Sequence, residues 1–125
     1  MYTLRVETDF AAAHFLEHYH GKCENLHGHN YRVRLWVRCR ELGEGGMGAD
    51  FSLLKKALKE AVNPLDHTNL NDMEVFKNNP SAERIAKFLF EILKVKIPEC
   101  GLDSRLLYAV DVFENATSMA RYIED

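Results

Sequence analysis

Five of the six histidines fall between His14 and His29, and one cysteine, Cys23, lies among them. His27 and His29 are two residues apart, so on a strand both rings point to the same face. Two imidazoles on one face, with a third nearby, make the start of a three-histidine zinc site whose fourth position stays open for water or substrate. The thiol of Cys23, four residues before His27, would then stand beside the metal rather than on it. A thiol near a dication and other polar groups is a candidate acid or base.

Further chemistry lies outside this window. Asp66 and His67 are adjacent and form an acid–base pair in sequence. With Cys23 they supply a thiol, an imidazole and an orienting carboxylate, the parts of a proton relay. Glu114 closes an alternating apolar run in phase with Val110 and Val112. Turned toward the covered face, it needs a partner, and a ligand edge with adjacent N–H donors, such as an amino-pyrimidinone, would satisfy it; turned outward, it is a strand-end glutamate in water. His18, His20 and Lys22 are candidate contacts for an anionic substrate, or else solvated loop side chains.

The elements that must carry these residues follow from periodicity. Tyr2, Leu4, Val6, Phe10 and Ala12 alternate with polar residues, which predicts a strand with one buried face. His14 continues the apolar register. Alone it reads as a hydrogen-bonded core histidine; beside His27 and His29 it reads as a third ligand. Residues 15–26 read as a polar loop. From His27 to Arg40 a second strand places His27, His29, Tyr31, Val33, Leu35, Val37 and Cys39 on one face. Four arginines, Arg32, Arg34, Arg38 and Arg40, share the other, and need water, acidic neighbours such as Glu7 and Asp9, or the channel of an oligomer. The glycine-rich stretch 41–48 lacks the signature of a phosphate-cradling loop.

Phe51, Leu54, Ala57, Leu58, Ala61 and Val62 recur at helical spacing. Asp50 or Ser52 can cap this helix and Asn63-Pro64 stops it. Asn79-Pro80 opens a second helix with a buried stripe of Ile85, Phe88, Leu89, Ile92 and Leu93, ended across residues 95–101 by Pro98 and Gly101. Strands over Leu106–Glu114 and Ser118–Ile123 complete the order β-β-α-α-β-β. That order predicts an α+β fold: an antiparallel four-stranded sheet with two helices on one face.

The 125 residues make one domain with room for a core. A formal net charge of −3 supplies no global field for nucleic acid or an acidic membrane, and neither is an expected partner. Three cysteines without a CxxC pair argue for reduced thiols and a cytoplasmic setting. The N-terminus has no apolar segment of signal-peptide type, and no apolar run approaches the roughly 20 residues of a membrane span.

Several motifs, in this order, resemble one known family. They are Ala11-Ala12-Ala13-His14, Cys23-x-x-x-His27-Gly28-His29-Asn30-Tyr31, Leu65-Asp66-His67-Thr68-Asn69-Leu70-Asn71-Asp72, Pro80-Ser81-Ala82-Glu83 and Glu114. Together they resemble the 6-pyruvoyl-tetrahydropterin synthase / 6-carboxy-tetrahydropterin synthase family over essentially residues 1–125. The resemblance implies a tunnelling fold whose subunits assemble into a barrel, commonly a hexamer of two trimers. It implies Zn2+ on His14, His27 and His29, Cys23 as the proton-abstracting base, and Asp66 and His67 as its relay partners. Glu114 would anchor the pterin and join the relay, with Ser81 and Glu83 near the pterin pocket.

The three-residue gap between Cys23 and His27 is similar to that of the carboxy-forming enzymes of the queuosine and 7-deazapurine route. These take 7,8-dihydroneopterin triphosphate to 6-carboxy-5,6,7,8-tetrahydropterin, acetaldehyde and triphosphate. Pyruvoyl-forming enzymes, which eliminate triphosphate without carbon–carbon cleavage, usually have a longer gap. Relatives that cleave dihydroneopterin carry a glutamate where this chain has Leu26. A non-catalytic zinc-stabilised pterin-binding module and a nucleic-acid-binding barrel using the arginine face are the readings from other classes.

Overall fold

A computed structural model describes residues 1–14 and 27–125, together with the backbone but not the side chain of His27. Cys23, His18, His20, Lys22 and Leu26 therefore lie outside the described residues. Two 13-residue strands, β1 (Tyr2–His14) and β2 (His27–Cys39), pair antiparallel along their whole length, from Tyr2↔Cys39 to His14↔His27. The chain continues through α1 (Phe51–Val62), β3 (Thr68–Asn69), α2 (Ala82–Glu99), β4 (Leu107–Asn115) and β5 (Ser118–Tyr122).

The strand order is β3-β1-β2-β4-β5. Four strands are antiparallel, as the pattern predicts. The fifth is an addition: β3 pairs parallel with β1, Ala12 opposite Thr68 and Ala13 opposite Asn69, in the stretch between the two helices where the pattern predicts no strand. Two residues carry too little pattern to announce a strand; what makes this one is the edge of β1 beside it.

The helix ends follow local chemistry. Asp50 Oδ1 accepts the Ser52 N–H at 2.8 Å, so Asp50 is the cap of α1. Ser81 Oγ accepts the Arg84 N–H at 3.3 Å, so α2 starts after Ser81 rather than at Asn79-Pro80. Pro98 does not end α2, which runs to Glu99. The end is made one turn later: Gly101 takes φ +86° and donates its N–H to the Pro98 carbonyl at 2.9 Å, while the Leu102 N–H reaches the Ile97 carbonyl at 3.2 Å. This paired closure needs a left-handed residue, which glycine adopts without a Cβ clash.

Both helices pack on one face of the sheet, α1 against β1 and α2 against β4 and β5. The core between them is apolar and close to fully buried, with Leu54, Leu58, Leu89 and Leu93 meeting Val33, Leu35 and Val110. Each such leucine contributes about 1.5–3 kcal/mol relative to exposure. On the other face two of the arginines, Arg32 and Arg34, find acids. Arg34 Nε donates to Glu7 at 3.1 Å and Arg32 Nε to Asp9 at 2.9 Å, across the β1–β2 register that pairs Glu7 with Arg34 and Asp9 with Arg32. Arg38 lies over the Tyr108 ring. Cys39 and Cys100 are unpaired thiols, as expected. Among the described residues no helix is long and apolar enough to cross a membrane.

Candidate metal centre and flanking cavities

His14 ends β1 on the helix-covered face and is fully buried. In the register, His29 lies opposite Ala12, two residues from His14 along β1, and the two imidazole centroids are 4.8 Å apart. His27 takes the position opposite His14. The Nε2 atoms of His14 and His29 are both shielded from solvent. A third donor reaches the same point. Glu114 Oε1 lies 3.9 Å from His14 Nε2, and one donor atom from each of His14, His29 and Glu114 falls within 4.8 Å of the others.

Glu114 arrives through an irregularity. Phe113 pairs with Arg32 on β2 and with Met119 on β5, but the β4–β5 register shifts between Phe113 and Asn115. Bulges re-aim side chains and recur beside active sites. Here the displaced residue is Glu114, whose carboxylate is turned to the histidines although it remains a quarter exposed.

Two neutral imidazole nitrogens and one carboxylate oxygen suit a borderline cation such as Zn2+. Donor atoms around a tetrahedral zinc stand about 3.3 Å apart, given metal–ligand lengths of about 2.0 Å. The observed spacing therefore fits after small side-chain adjustments. The His14 ring is also held on its other side: the Tyr31 hydroxyl is hydrogen-bonded to His14 Nδ1. Tyr31 was not among the site residues expected from sequence. Its signals there are its phase, which continues the face of His27 and His29, and its place at the end of the His27-Gly28-His29-Asn30-Tyr31 motif.

Asp66 and His67 touch, with His67 Nδ1 3.1 Å from Asp66 Oδ2. Their position is set by β1. Asp66 Oδ1 accepts the Ala11 N–H at 2.9 Å, and the His67 N–H donates to the Ala11 carbonyl at 2.6 Å. Both backbone groups of Ala11 are thus taken by this pair, and β3 follows directly. The Ala11 N–H, and after it the His67 side chain, hold the Asp66 carboxyl below its ordinary range. His67 adopts φ +59°, a left-handed conformation that is uncommon for a histidine and clusters at functional sites. Its side chain is 83% exposed, which leaves the imidazole able to meet a substrate or a neighbouring group.

Two cavities flank the cluster. One, of about 480 Å³, is lined by His29, His67, Asn30 and Thr68. The other, of about 560 Å³, is lined by Glu114, Ser81, Glu83 and Arg121. Both volumes fall in the range of small-molecule sites, about 300–1,000 Å³. Ser81 thus serves twice, capping α2 and facing the cavity, and Glu83 stands in the first turn of α2. The structure brings together His14, His29 and Glu114, and separately Asp66 and His67. Cys23 lies outside the described residues.

A family model described as 6-pyruvoyl tetrahydropterin synthase matches residues 3–125. The chain belongs to this family. A 6-carboxy-5,6,7,8-tetrahydropterin synthase from Synechocystis is 42% identical, with 98% of this chain and 93% of the relative covered. One of the same name from Aquifex aeolicus is 34% identical over 83% of this chain and 77% of the relative. A solved structure of Caenorhabditis elegans 6-pyruvoyl tetrahydropterin synthase superposes with a TM-score of 0.86 at 30% identity, covering 99% of this chain and 96% of that one. The five-stranded sheet with its two helices is thus the fold of this pterin synthase family, and the histidine–glutamate cluster lies in a chain of that kind.

Proposed function

We propose that this protein is a zinc-dependent carbon–carbon lyase, a 6-carboxy-5,6,7,8-tetrahydropterin synthase of the queuosine type. Its substrate would be 7,8-dihydroneopterin triphosphate, and its products 6-carboxy-5,6,7,8-tetrahydropterin, acetaldehyde and triphosphate. The observation that carries this reading is the meeting of one donor atom each from His14, His29 and Glu114 within 4.8 Å, with His29 and Glu114 each opening on a cavity. The choice of product draws support from relatives at 34–42% identity that bear the carboxy name.

His14, His27 and His29 would hold the zinc, which acts when bound as a Lewis acid toward the substrate's side-chain oxygens. Glu114, on the wall of the second cavity, presents two acceptor oxygens to the adjacent N–H groups of a pterin ring. Ser81 and Glu83 border the same space. Cys23 would take a proton from the substrate side chain as thiolate. His67, oriented at Nδ1 by Asp66, would pass that proton on through Nε2. The subunit would work as a homo-oligomer, two trimers forming a hexamer, with the paired arginine face directed inward. The family's cytoplasmic setting is part of the same proposal.

The deciding experiment incubates zinc-loaded protein with 7,8-dihydroneopterin triphosphate and identifies products by mass. Carboxy-tetrahydropterin with acetaldehyde is the expected result. A pyruvoyl product of intact side chain would establish the second reading, favoured by the close superposition on the Caenorhabditis enzyme. No conversion, with zinc bound, would leave neither.

A further inference from the structure

We infer that Tyr31 is a positioning residue for the metal centre: its hydroxyl oxygen accepts the Nδ1–H of His14 and so holds that imidazole in the tautomer whose Nε2 lone pair is available to a cation. The inference rests on the zinc reading above. A neutral imidazole carries one proton, on either nitrogen, and only the other nitrogen can bind a metal. In His14 the nitrogen turned toward Glu114 is Nε2, and it is shielded from solvent. If Nε2 is to be a ligand, the proton must sit on Nδ1, and the group bonded to Nδ1 is the Tyr31 hydroxyl. Metal-bound histidines commonly donate their other N–H to an acceptor that fixes both tautomer and ring angle.

The packing shows why this contact is specific rather than incidental. Tyr31 pairs with Phe10, and His14 lies four residues further along β1, about 13 Å on an extended strand. Contact across that span requires the two side chains to lean toward each other over Ala12, whose methyl group leaves the path clear. Tyr31 is fully buried and its ring stacks on Phe10 at 4.8 Å between centroids and 13° between planes. It meets both metal-site imidazoles edge-to-face at 61°, with centroids 5.8 Å from His14 and 5.4 Å from His29. The stack fixes the ring, and the ring fixes where the hydroxyl points.

Tyr31→Phe removes the hydroxyl and keeps the stack. Zinc affinity, measured by competition with a chromophoric chelator, should fall about 10–100-fold. The second readout is the long-range 1H–15N spectrum of zinc-loaded protein. In the wild type, His14 Nδ1 should appear as the protonated nitrogen and Nε2 as the metal-bound one, with Nδ1–H exchange faster in Tyr31→Phe. An affinity within twofold of wild type, or a protonated His14 Nε2, overturns the assignment of Tyr31. Failure of the wild type to bind zinc at all overturns the zinc reading itself, and this inference with it. Should Tyr31→Phe not fold, the wild-type spectrum alone decides.

Discussion

Asp111 stands on β4, three residues before Glu114, and is 1% exposed. Its carboxylate accepts Arg121 Nε at 2.6 Å, Arg121 Nη2 at 2.9 Å and Trp36 Nε1 at 2.7 Å, which ties β2, β4 and β5 together on the arginine face. The hydrogen bonds from Arg121, more than their Coulomb attraction, raise the guanidinium pKa above its ordinary value. Asp111→Ala leaves the guanidinium and the indole N–H without this acceptor. Breaking a buried ion pair costs about 3–5 kcal/mol. Arg121 is 34% exposed, so water recovers part of that. The stranded indole N–H adds about 1 kcal/mol. The net loss is about 3 kcal/mol, or about 10 °C in Tm for a domain of this size. Urea unfolding followed by circular dichroism, at fixed protein concentration, measures it as a fall in midpoint without a change in slope. Asp9→Ala is the control, because its pairing with Arg32 lies in the open and should leave the midpoint nearly unchanged. A loss below about 1 kcal/mol for Asp111→Ala, or one no larger than for Asp9→Ala, would refute the argument from burial.

Other substitutions separate the roles at the site. Cys23→Ala should retain zinc and lose turnover; normal turnover would remove the thiol from the mechanism. His27→Ala should lose the metal, and full zinc occupancy by elemental analysis would reject it as a ligand. Glu114→Gln should keep zinc while kcat/KM falls about 100-fold, on the order of a lost charge-assisted hydrogen bond to the pterin; loss of zinc instead would move Glu114 into the ligand set that its 3.9 Å approach to His14 suggests. For Asp66 the folded pKa is depressed, so its contribution to stability is present above the unfolded value of about 3.9 and is lost as pH falls through the lower folded one. Asp66→Asn should therefore be less stable near neutrality and lose less on acidification below pH ~4 than the wild type. Parallel acid limbs in the two proteins would contradict this.

Much of the site was legible in local pattern. Period-two alternation put His14 in phase with Phe10 and Ala12, and the structure buries it there. The same alternation put the arginines opposite the core and offered water, acidic neighbours such as Glu7 and Asp9, or an oligomer channel for them; the register pairs Glu7 with Arg34 and Asp9 with Arg32. Helical spacing located α1, with Asn63-Pro64 marking its end and Asp50 or Ser52 its start, and the structure makes Asp50 the cap. Less legible were features that depend on a neighbour far along the chain. β3 exists because Ala12 and Ala13 present an edge to it. The left-handed His67 follows from the two bonds that Asp66 and His67 make to Ala11, 55 and 56 residues away.

Strand phase is a property of consecutive residues, since each side chain alternates with the next; which histidines share a face could thus be read from the chain itself. Pairing is not such a property. That Tyr31 meets His14, and that Glu114 turns at a break in the β4–β5 ladder to face two imidazoles, depend on inter-strand register and on a bulge. Both are settled by how three strands pack beneath two helices, because a one-residue slip would carry every one of these side chains to the opposite face.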